Sequence, residues 1–169
     1  MRRYLFLLLL VGCGGSPKEE ASTPPQRGPQ QMRMEPHTGP PKGHEDKVSV
    51  ERHRLYRLQG LPEEYAGRTN PYEPTPELIK RGEEIYKQHC ETCHGEDGKG
   101  DGPTASGLDP KPSDLSFIMT RRIATDEYLF WTISEGGKPI KSAMPAYKDI
   151  LSEKDRWAVI LYLRDRFGP

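Results

Sequence analysis

One short motif restricts this chain more than any other stretch: Cys90 and Cys93 are separated by two residues, and His94 follows directly. Cysteines at this spacing lie about one turn apart on a helix, so both thiols can reach the same edge of a ligand. Cys-x-x-Cys-His is the attachment pattern of a c-type haem, in which the thiols form thioethers and the histidine binds iron. The motif therefore predicts one covalent haem c, with Cys90 and Cys93 as its anchors and His94 as the proximal iron ligand.

Three other interpretations of these residues remain. A redox dithiol would come with a thioredoxin-like βαβ pattern, which the flanking sequence lacks. A structural zinc site takes about four ligands, and no second Cys/His pair is nearby. A structural disulfide or a chance match is the third. The histidine that completes the motif favours haem over all three.

The N-terminus has the anatomy of an export signal. Met1-Arg2-Arg3 is basic, and residues 4–11 form an apolar run shorter than the roughly 20 residues that span a bilayer. The run ends Leu10-Val11-Gly12-Cys13, which resembles a bacterial lipobox. The resemblance implies a lipoprotein signal peptide over residues 1–12, cleavage before Cys13 and lipidation of that cysteine. An uncleaved anchor and a plain secretory signal are the alternatives.

Residues 13–46 have the composition of a disordered tether. Only 33% of the whole chain is apolar, and it contains 17 glycines and 17 prolines, which is unusual for a fully packed protein. Seven of the prolines lie in this segment: Pro17, Pro24, Pro25, Pro29, Pro36, Pro40 and Pro41. Such a segment cannot bury enough apolar surface to offset the entropy of ordering. With 25 basic and 25 acidic residues, the chain has no basic excess that would indicate nucleic acid as a partner.

Residues 47–73 predict an irregular arm that lies across the following domain or docks on a partner. Apolar residues return here, but their spacing fits neither helix nor strand for long, although residues 48–50 can begin a short strand. Leu61-Pro62 and Asn70-Pro71 indicate turns or extended chain. His53 is predicted to be a surface residue.

Residues 74–169 predict a small, mostly α domain with three helices. Each helix has a hydroxyl residue that can cap its N-terminus, at Thr75, Thr125 and Ser152. Gly82 lies inside the first helix, which suggests that another helix approaches closely there. So small a core is marginal alone, and a covalent haem would supply an apolar centre.

The second iron ligand is predicted from the methionines. Met144 lies in a loop between the second and third helices, where its thioether can close the sixth position opposite His94. Met119 is the alternative but fits a core position better. An open or His-ligated site is the remaining possibility. His89, beside Cys90, is predicted to lie on the surface.

From about Pro74 to the C-terminus the chain resembles a class I monohaem cytochrome c of the lipoprotein type. The matching stretches are Arg81-Gly82-Glu83-Glu84-Ile85-Tyr86, residues 90–95, Gly100-Asp101-Gly102-Pro103, residues 133–136, Ala143-Met144-Pro145-Ala146-Tyr147 and the last helix. The resemblance implies crossed N- and C-terminal helices, with Gly82 and Tyr86 meeting aromatic residues such as Tyr162. It also implies His/Met ligation and a proline carbonyl, from Pro110 or Pro112, that orients His94.

A shorter resemblance covers the arm. The run Gly67-Arg68-Thr69-Asn70-Pro71-Tyr72, before the haem motif on a lipobox-bearing chain, is similar to the monohaem cytochrome c subunit of bacterial alternative complex III.

These features together predict an electron carrier rather than an enzyme, on the periplasmic side of a bacterial membrane, inner or outer. Electrons would come from a quinol-oxidising complex or a dehydrogenase and pass to an oxidase or a soluble cytochrome. The alternatives are a haem domain with an open or labile sixth position, acting in catalysis or gas sensing, and an attached subunit of a larger oxidoreductase complex.

Overall fold

The computed structural model describes residues 47–169, with side chains described from Val50 onward. This part of the chain contains six α-helices and no β-strand. The helices are α1 (Lys47–Gln59), α2 (Pro76–His89), α3 (Glu91–His94), α4 (Leu115–Met119), α5 (Asp126–Glu135) and α6 (Glu153–Phe167). Short 3₁₀ turns occupy Ala105–Gly107, Lys138–Ile140 and Tyr147–Asp149. The mostly α fold is confirmed, whereas the predicted signal peptide (1–12), Cys13 and tether (13–46) lie outside the described residues.

The three predicted helices of the haem domain are confirmed as α2, α5 and α6, and each begins at its predicted cap. The side chains of Thr75, Thr125 and Ser152 accept hydrogen bonds from Leu78 N, Tyr128 N and Asp155 N at 3.3, 3.3 and 3.1 Å. A hydroxyl at the N-cap satisfies an amide that has no partner inside the helix. The caps therefore set where the helices of the core begin.

Helices α2 and α6 cross at Gly82, as the family resemblance implied. A β-carbon built on Gly82 would overlap the backbone carbonyl of Ala158 and lie 2.8 Å from the β-carbon of Tyr162. One turn further along α2, the ring of Tyr86 lies 5.3 Å from that of Tyr162 and 5.8 Å from that of Phe167. The glycine allows the backbones to touch, and the aromatic rings pack against one another one turn further along α2.

Helix α5 packs its apolar residues against α6 to complete the core. The rings of Phe130 and Trp157 stack with their centres 4.1 Å apart and 10° between their planes. Phe130 is fully buried, and its neighbour Ser134 accepts a hydrogen bond from the guanidinium of Arg156. None of these four residues lines the cavity that contains the haem motif.

The prediction of an irregular arm is wrong for residues 47–59, which form helix α1, and the strand suggested at residues 48–50 is absent. The spacing of its apolar residues does not indicate a helix, and contacts with the rest of the fold hold it in place. The guanidinium of Arg52 donates to the Gly136 carbonyl at 2.6 Å, and the Tyr56 hydroxyl donates to Glu127 at 3.2 Å. His53, predicted on the surface, is half-buried against the ring of Tyr128.

Residues 60–73 are irregular and lie against the domain, as predicted. The Tyr65 hydroxyl donates to Glu135 at 2.5 Å, and the Gly67 amide donates to Glu127 at 2.6 Å. The Asn70 amide donates to Asp126 at 2.8 Å. The carboxylates at the start and end of α5 thus hold this segment against the domain.

Over residues 47–169, no helix has the length and apolar character needed to cross a bilayer.

Candidate functional site

The haem motif lies where α2 ends and the short helix α3 begins. Cys90 caps the end of α2 and the start of α3, and its carbonyl accepts from Cys93 N at 3.1 Å and His94 N at 2.8 Å. This tight turn brings both thiols and the imidazole to the same cavity. Both cysteines are free thiols in the structure. The three residues predicted from the motif are therefore brought together.

The two thiols differ in their surroundings. Burial, with a smaller effect from Cys93, raises the pKa of the Cys90 thiol to about 12, because a thiolate is disfavoured away from water. The sulfur of Cys93 lies 3.2 Å from the hydroxyl of Thr104. Neither thiol belongs to a cluster of three or more metal-binding side chains within residues 47–169.

The ring of His94 is oriented by a backbone carbonyl, but the carbonyl belongs to Ser113. Its Nδ1 lies 3.0 Å from that oxygen. A carbonyl only accepts, so Nδ1 carries the proton and Nε2 keeps the lone pair that a metal needs. The expectation that Pro110 or Pro112 has this role is wrong, because the carbonyl within hydrogen-bond distance of His94 belongs to Ser113, the residue after Pro112.

The loop that carries Ser113 is held by two glycines of the segment after the motif. The Leu115 amide donates to the Gly98 carbonyl at 2.6 Å. Gly100 has a φ of +72°, and a β-carbon there would overlap the Pro112 carbonyl. Because Gly100 lies directly against Pro112, this contact fixes the position of the neighbouring Ser113 carbonyl, which accepts from His94.

Met144 lines the same cavity as Cys90, Cys93 and His94. Its loop packs on the Gly136-Gly137 end of α5, where the Gly137 amide donates to the Met144 carbonyl at 2.7 Å. Met119 does not line the cavity and is 5% exposed in the core, which agrees with the position predicted for it. Of the two candidate methionines, the structure brings only Met144 to the motif.

His89 is half-buried at the cavity rather than on the surface as predicted. Its ring meets that of Tyr147 edge-on at 6.0 Å, and its carbonyl accepts from the Tyr147 hydroxyl at 2.6 Å. Burial raises the pKa of Tyr147 above its ordinary value, so the phenol stays neutral and keeps donating. His89 and Tyr147 thus form part of the cavity wall together with Cys90.

The cavity measures about 300 Å³, and most of its wall is apolar. The apolar side chains come from the loop after the motif and from α4, α5 and α6: Leu108, Leu115, Ile118, Leu129, Ile133, Val159 and Leu163. Two thiols, an imidazole protonated at Nδ1 and a thioether match the donor set of a c-type haem. The residues present therefore fit the group that the motif predicts.

Sequence reasoning missed Arg52, which also lines the cavity and is 3% exposed. The local sequence cannot predict that this arginine is buried, because the residues that bury it, such as Gly136, lie more than 80 positions away in the chain.

Two curated proteins are similar to this chain. One is a subunit of the nicotinate dehydrogenase of Pseudomonas putida, 28% identical over 122 residues, which cover 69% of this chain and 10% of that protein. The other is thiosulfate dehydrogenase of Stutzerimonas stutzeri, 29% identical over 115 residues, which cover 63% of this chain and 34% of that protein. The matched regions therefore span about a tenth and a third of these relatives.

Two solved structures are also similar. A chain of the Kuenenia stuttgartiensis reducing HAO-like protein complex is 29% identical with a TM-score of 0.48, covering 58% of this chain and 47% of its own. Cytochrome CL of Methylophaga aminisulfidivorans is 21% identical with a TM-score of 0.42, covering 69% of this chain and 68% of its own.

The matched family is described as cytochrome C oxidase, cbb3-type, subunit III, and it matches residues 77–163. This range holds the Cys-x-x-Cys-His motif, most of the crossed helices α2 and α6, and Met144. The matched range is just over half of the chain, and the cavity fits a covalent haem. The chain therefore belongs to the cbb3-type subunit III family of cytochrome c domains and binds haem c.

Proposed function

We propose that this protein is a c-type cytochrome that carries single electrons through a haem ligated by His94 and Met144. The observation that supports the proposal most directly is the placement of both side chains on one apolar cavity beside the two anchoring thiols. If His94 and Met144 both bound the iron, the haem would have no position left for a substrate, which supports electron transfer rather than catalysis.

The chain's own residues account for what such a carrier needs. Bound haem c supplies a one-electron couple whose potential a methionine ligand raises. Cys90 and Cys93 hold the group covalently, and the Ser113 carbonyl fixes the tautomer and orientation of the His94 ring. The apolar wall excludes water, and the Gly137 amide holds the Met144 loop by donating to the Met144 carbonyl.

The electron donor in this proposal is a dehydrogenase or a quinol-oxidising complex, and the acceptor is an oxidase or a soluble cytochrome. Two relatives are dehydrogenases by name, which supports a dehydrogenase as donor. Lipidation of Cys13 would hold the protein on the periplasmic side of a bacterial membrane, with residues 13–46 as its tether.

The test replaces Met144 with alanine and records the optical spectrum of the oxidised and reduced protein with and without carbon monoxide. We expect the unmodified protein to be low-spin and indifferent to carbon monoxide. Met144→Ala should bind carbon monoxide when reduced and should favour the ferric form about tenfold or more, which is about 59 mV for a one-electron couple.

Met119→Leu is the matched control, since Met119 is buried but does not line the cavity. Its spectrum and potential should equal those of the unmodified protein. Ready carbon monoxide binding by the unmodified protein would contradict the proposal and favour catalysis or gas sensing.

A further inference from the structure

Arg52 is a buried cation that is only partly satisfied by the protein. It comes from α1, outside the family-matched residues 77–163, and is 3% exposed. Nη2 donates to the Gly136 carbonyl at 2.6 Å, and the guanidinium lies 5.2 Å from the centre of the Trp131 ring. Nη1 is buried and has no hydrogen-bond partner. Nη2 of the guanidinium is thus hydrogen-bonded, whereas Nη1 has no acceptor, and the side chain lines the cavity.

Two hydroxyls at the same end of the cavity are also unused. Thr132 Oγ1 and Ser142 Oγ are buried without hydrogen-bond partners, and both residues line the cavity. Their backbones meet at the end of α5: Gly136 N donates to the Thr132 carbonyl at 3.0 Å, and Ser142 N donates to the Gly137 carbonyl at 3.0 Å. Arg52, Thr132 and Ser142 each hydrogen-bond to the backbone of Gly136 or Gly137, and each has a buried polar side-chain atom without a partner in a cavity whose remaining wall is mostly apolar.

This arrangement calls for an anion. A buried donor without a partner costs about 1–3 kcal/mol, and a buried charge costs more unless it is paired. Burial lowers the pKa of Arg52, but a guanidinium stays charged in proteins. No ion pair to Arg52 occurs among the residues whose side chains are described. An anionic group in the cavity that Arg52 lines would balance this charge.

The group that fills the cavity carries its own anions, because the porphyrin of haem c has two propionate side chains. We propose that Arg52, with Thr132 and Ser142, binds a haem propionate and that the N-terminal helix α1 thereby completes the haem site. Arg52 acts here as a cation that sets the haem potential. The proposal depends on bound haem c but not on the identity of the sixth ligand, so it can fail or succeed independently of Met144.

Arg52→Met in the full-length, haem-loaded protein is the first test. Removing a cation beside the haem should favour the ferric form, because the added electron loses an attractive charge. We expect a shift of about tenfold in the ferric–ferrous equilibrium at about pH 8, where a carboxylate is ionised, which is about 59 mV. The propionate bending mode in the resonance Raman spectrum should move as well.

Arg54→Met is the matched control, because Arg54 is exposed on the same helix and its loss removes the same formal charge. It should leave the Raman mode unchanged and shift the equilibrium by less than about twofold, since exposed charges are screened. If Arg52→Met moves neither the potential nor the propionate mode beyond this control, the proposal is overturned, even if the variant is less stable.

Arg52→Lys and Thr132→Val keep the proposal testable if Arg52→Met does not mature. The lysine retains the charge but offers a different donor geometry, so the potential should be nearly preserved while the propionate mode moves. Thr132→Val removes one hydroxyl and should move the same mode. An unshifted mode in both variants would overturn the proposal.

Discussion

At the scale of single residues, Gly82 sets the distance between the two main helices. A β-carbon there would overlap the Ala158 carbonyl, which belongs to backbone and cannot rotate away. The approach of α2 to α6 also positions Tyr86, whose hydroxyl donates to the Gly95 carbonyl at 2.6 Å directly after the haem motif. The glycine is thus connected to the haem site through one aromatic side chain.

We expect Gly82→Ala to lower the free energy of unfolding by about 1–3 kcal/mol, because overpacking forces the helices apart. Urea unfolding of the ferric protein, followed by circular dichroism, would measure the change. Gly107→Ala is the control, since a β-carbon there meets nothing within 4 Å, and it should be neutral or slightly stabilising. An unchanged stability for Gly82→Ala would show that the crossing can relax.

Residues of the site could be predicted from sequence where they form a motif or where their side chain is a typical iron ligand, as for Met144. Cys90, Cys93 and His94 form one contiguous motif, and the structure brings them to one cavity. The carbonyl of Ser113 and the side chain of Arg52 reach that cavity from distant parts of the chain, through loop geometry and tertiary packing that no local pattern reports.

At the scale of elements, an ion pair joins α2 to the start of α6. Arg81 donates to Asp155 at 2.8 Å, and Asp155 also accepts from the capping hydroxyl of Ser152 at 2.9 Å. The hydrogen bond from Arg81 has the largest effect and lowers the pKa of Asp155. Partial burial raises this pKa, but the hydrogen bond from Ser152 lowers it further, and the net shift is downward. Folding therefore favours the ionised carboxylate.

The sign of this shift gives a pH dependence. A lowered pKa in the folded state contributes stability above the unfolded pKa, near 3.9, and the contribution is lost as the pH falls through the folded pKa. We expect Asp155→Asn to cost about 1 kcal/mol or less above about pH 5, since the pair is partly exposed, and the difference should shrink below about pH 4.

Urea unfolding at a series of pH values would measure this difference. Asp165→Asn, exposed on the same helix, is the control and should not lower stability. A cost for Asp155→Asn that persists unchanged in acid would assign it to packing rather than to charge.

The helices that sequence could predict share a hydroxyl cap: α2, α5 and α6 each begin at one. No serine or threonine directly precedes α1, and its helicity depends on contacts such as that of Tyr56 with Glu127. α3 and α4 have 4 and 5 residues, too few for any periodicity.

At the scale of the whole molecule, the proposed location depends on Cys13, which lies outside the described residues. We expect Cys13→Ser to move the mature protein from the membrane fraction to the soluble one, because a hydroxyl does not replace the thiol that accepts the lipid. Detergent phase partitioning and the mass of the N-terminal peptide would measure this.

Ser16→Ala is the control for that substitution and should leave the protein in the membrane fraction. A Cys13→Ser protein that stays membrane-bound with its first residues intact would contradict lipidation and indicate an uncleaved anchor.

The contribution of α1 to the cavity wall has a consequence for how such domains are exchanged between proteins. The residues that identify the family, 77–163, do not include Arg52. A gene fusion that moved only residues 77–163 into another protein would transfer the cysteines and the histidine that bind haem. It would leave behind Arg52, a charged residue of the cavity wall. The host chain would then have to supply an equivalent cation from its own sequence, and the redox behaviour of the transplanted domain would depend on its new neighbour.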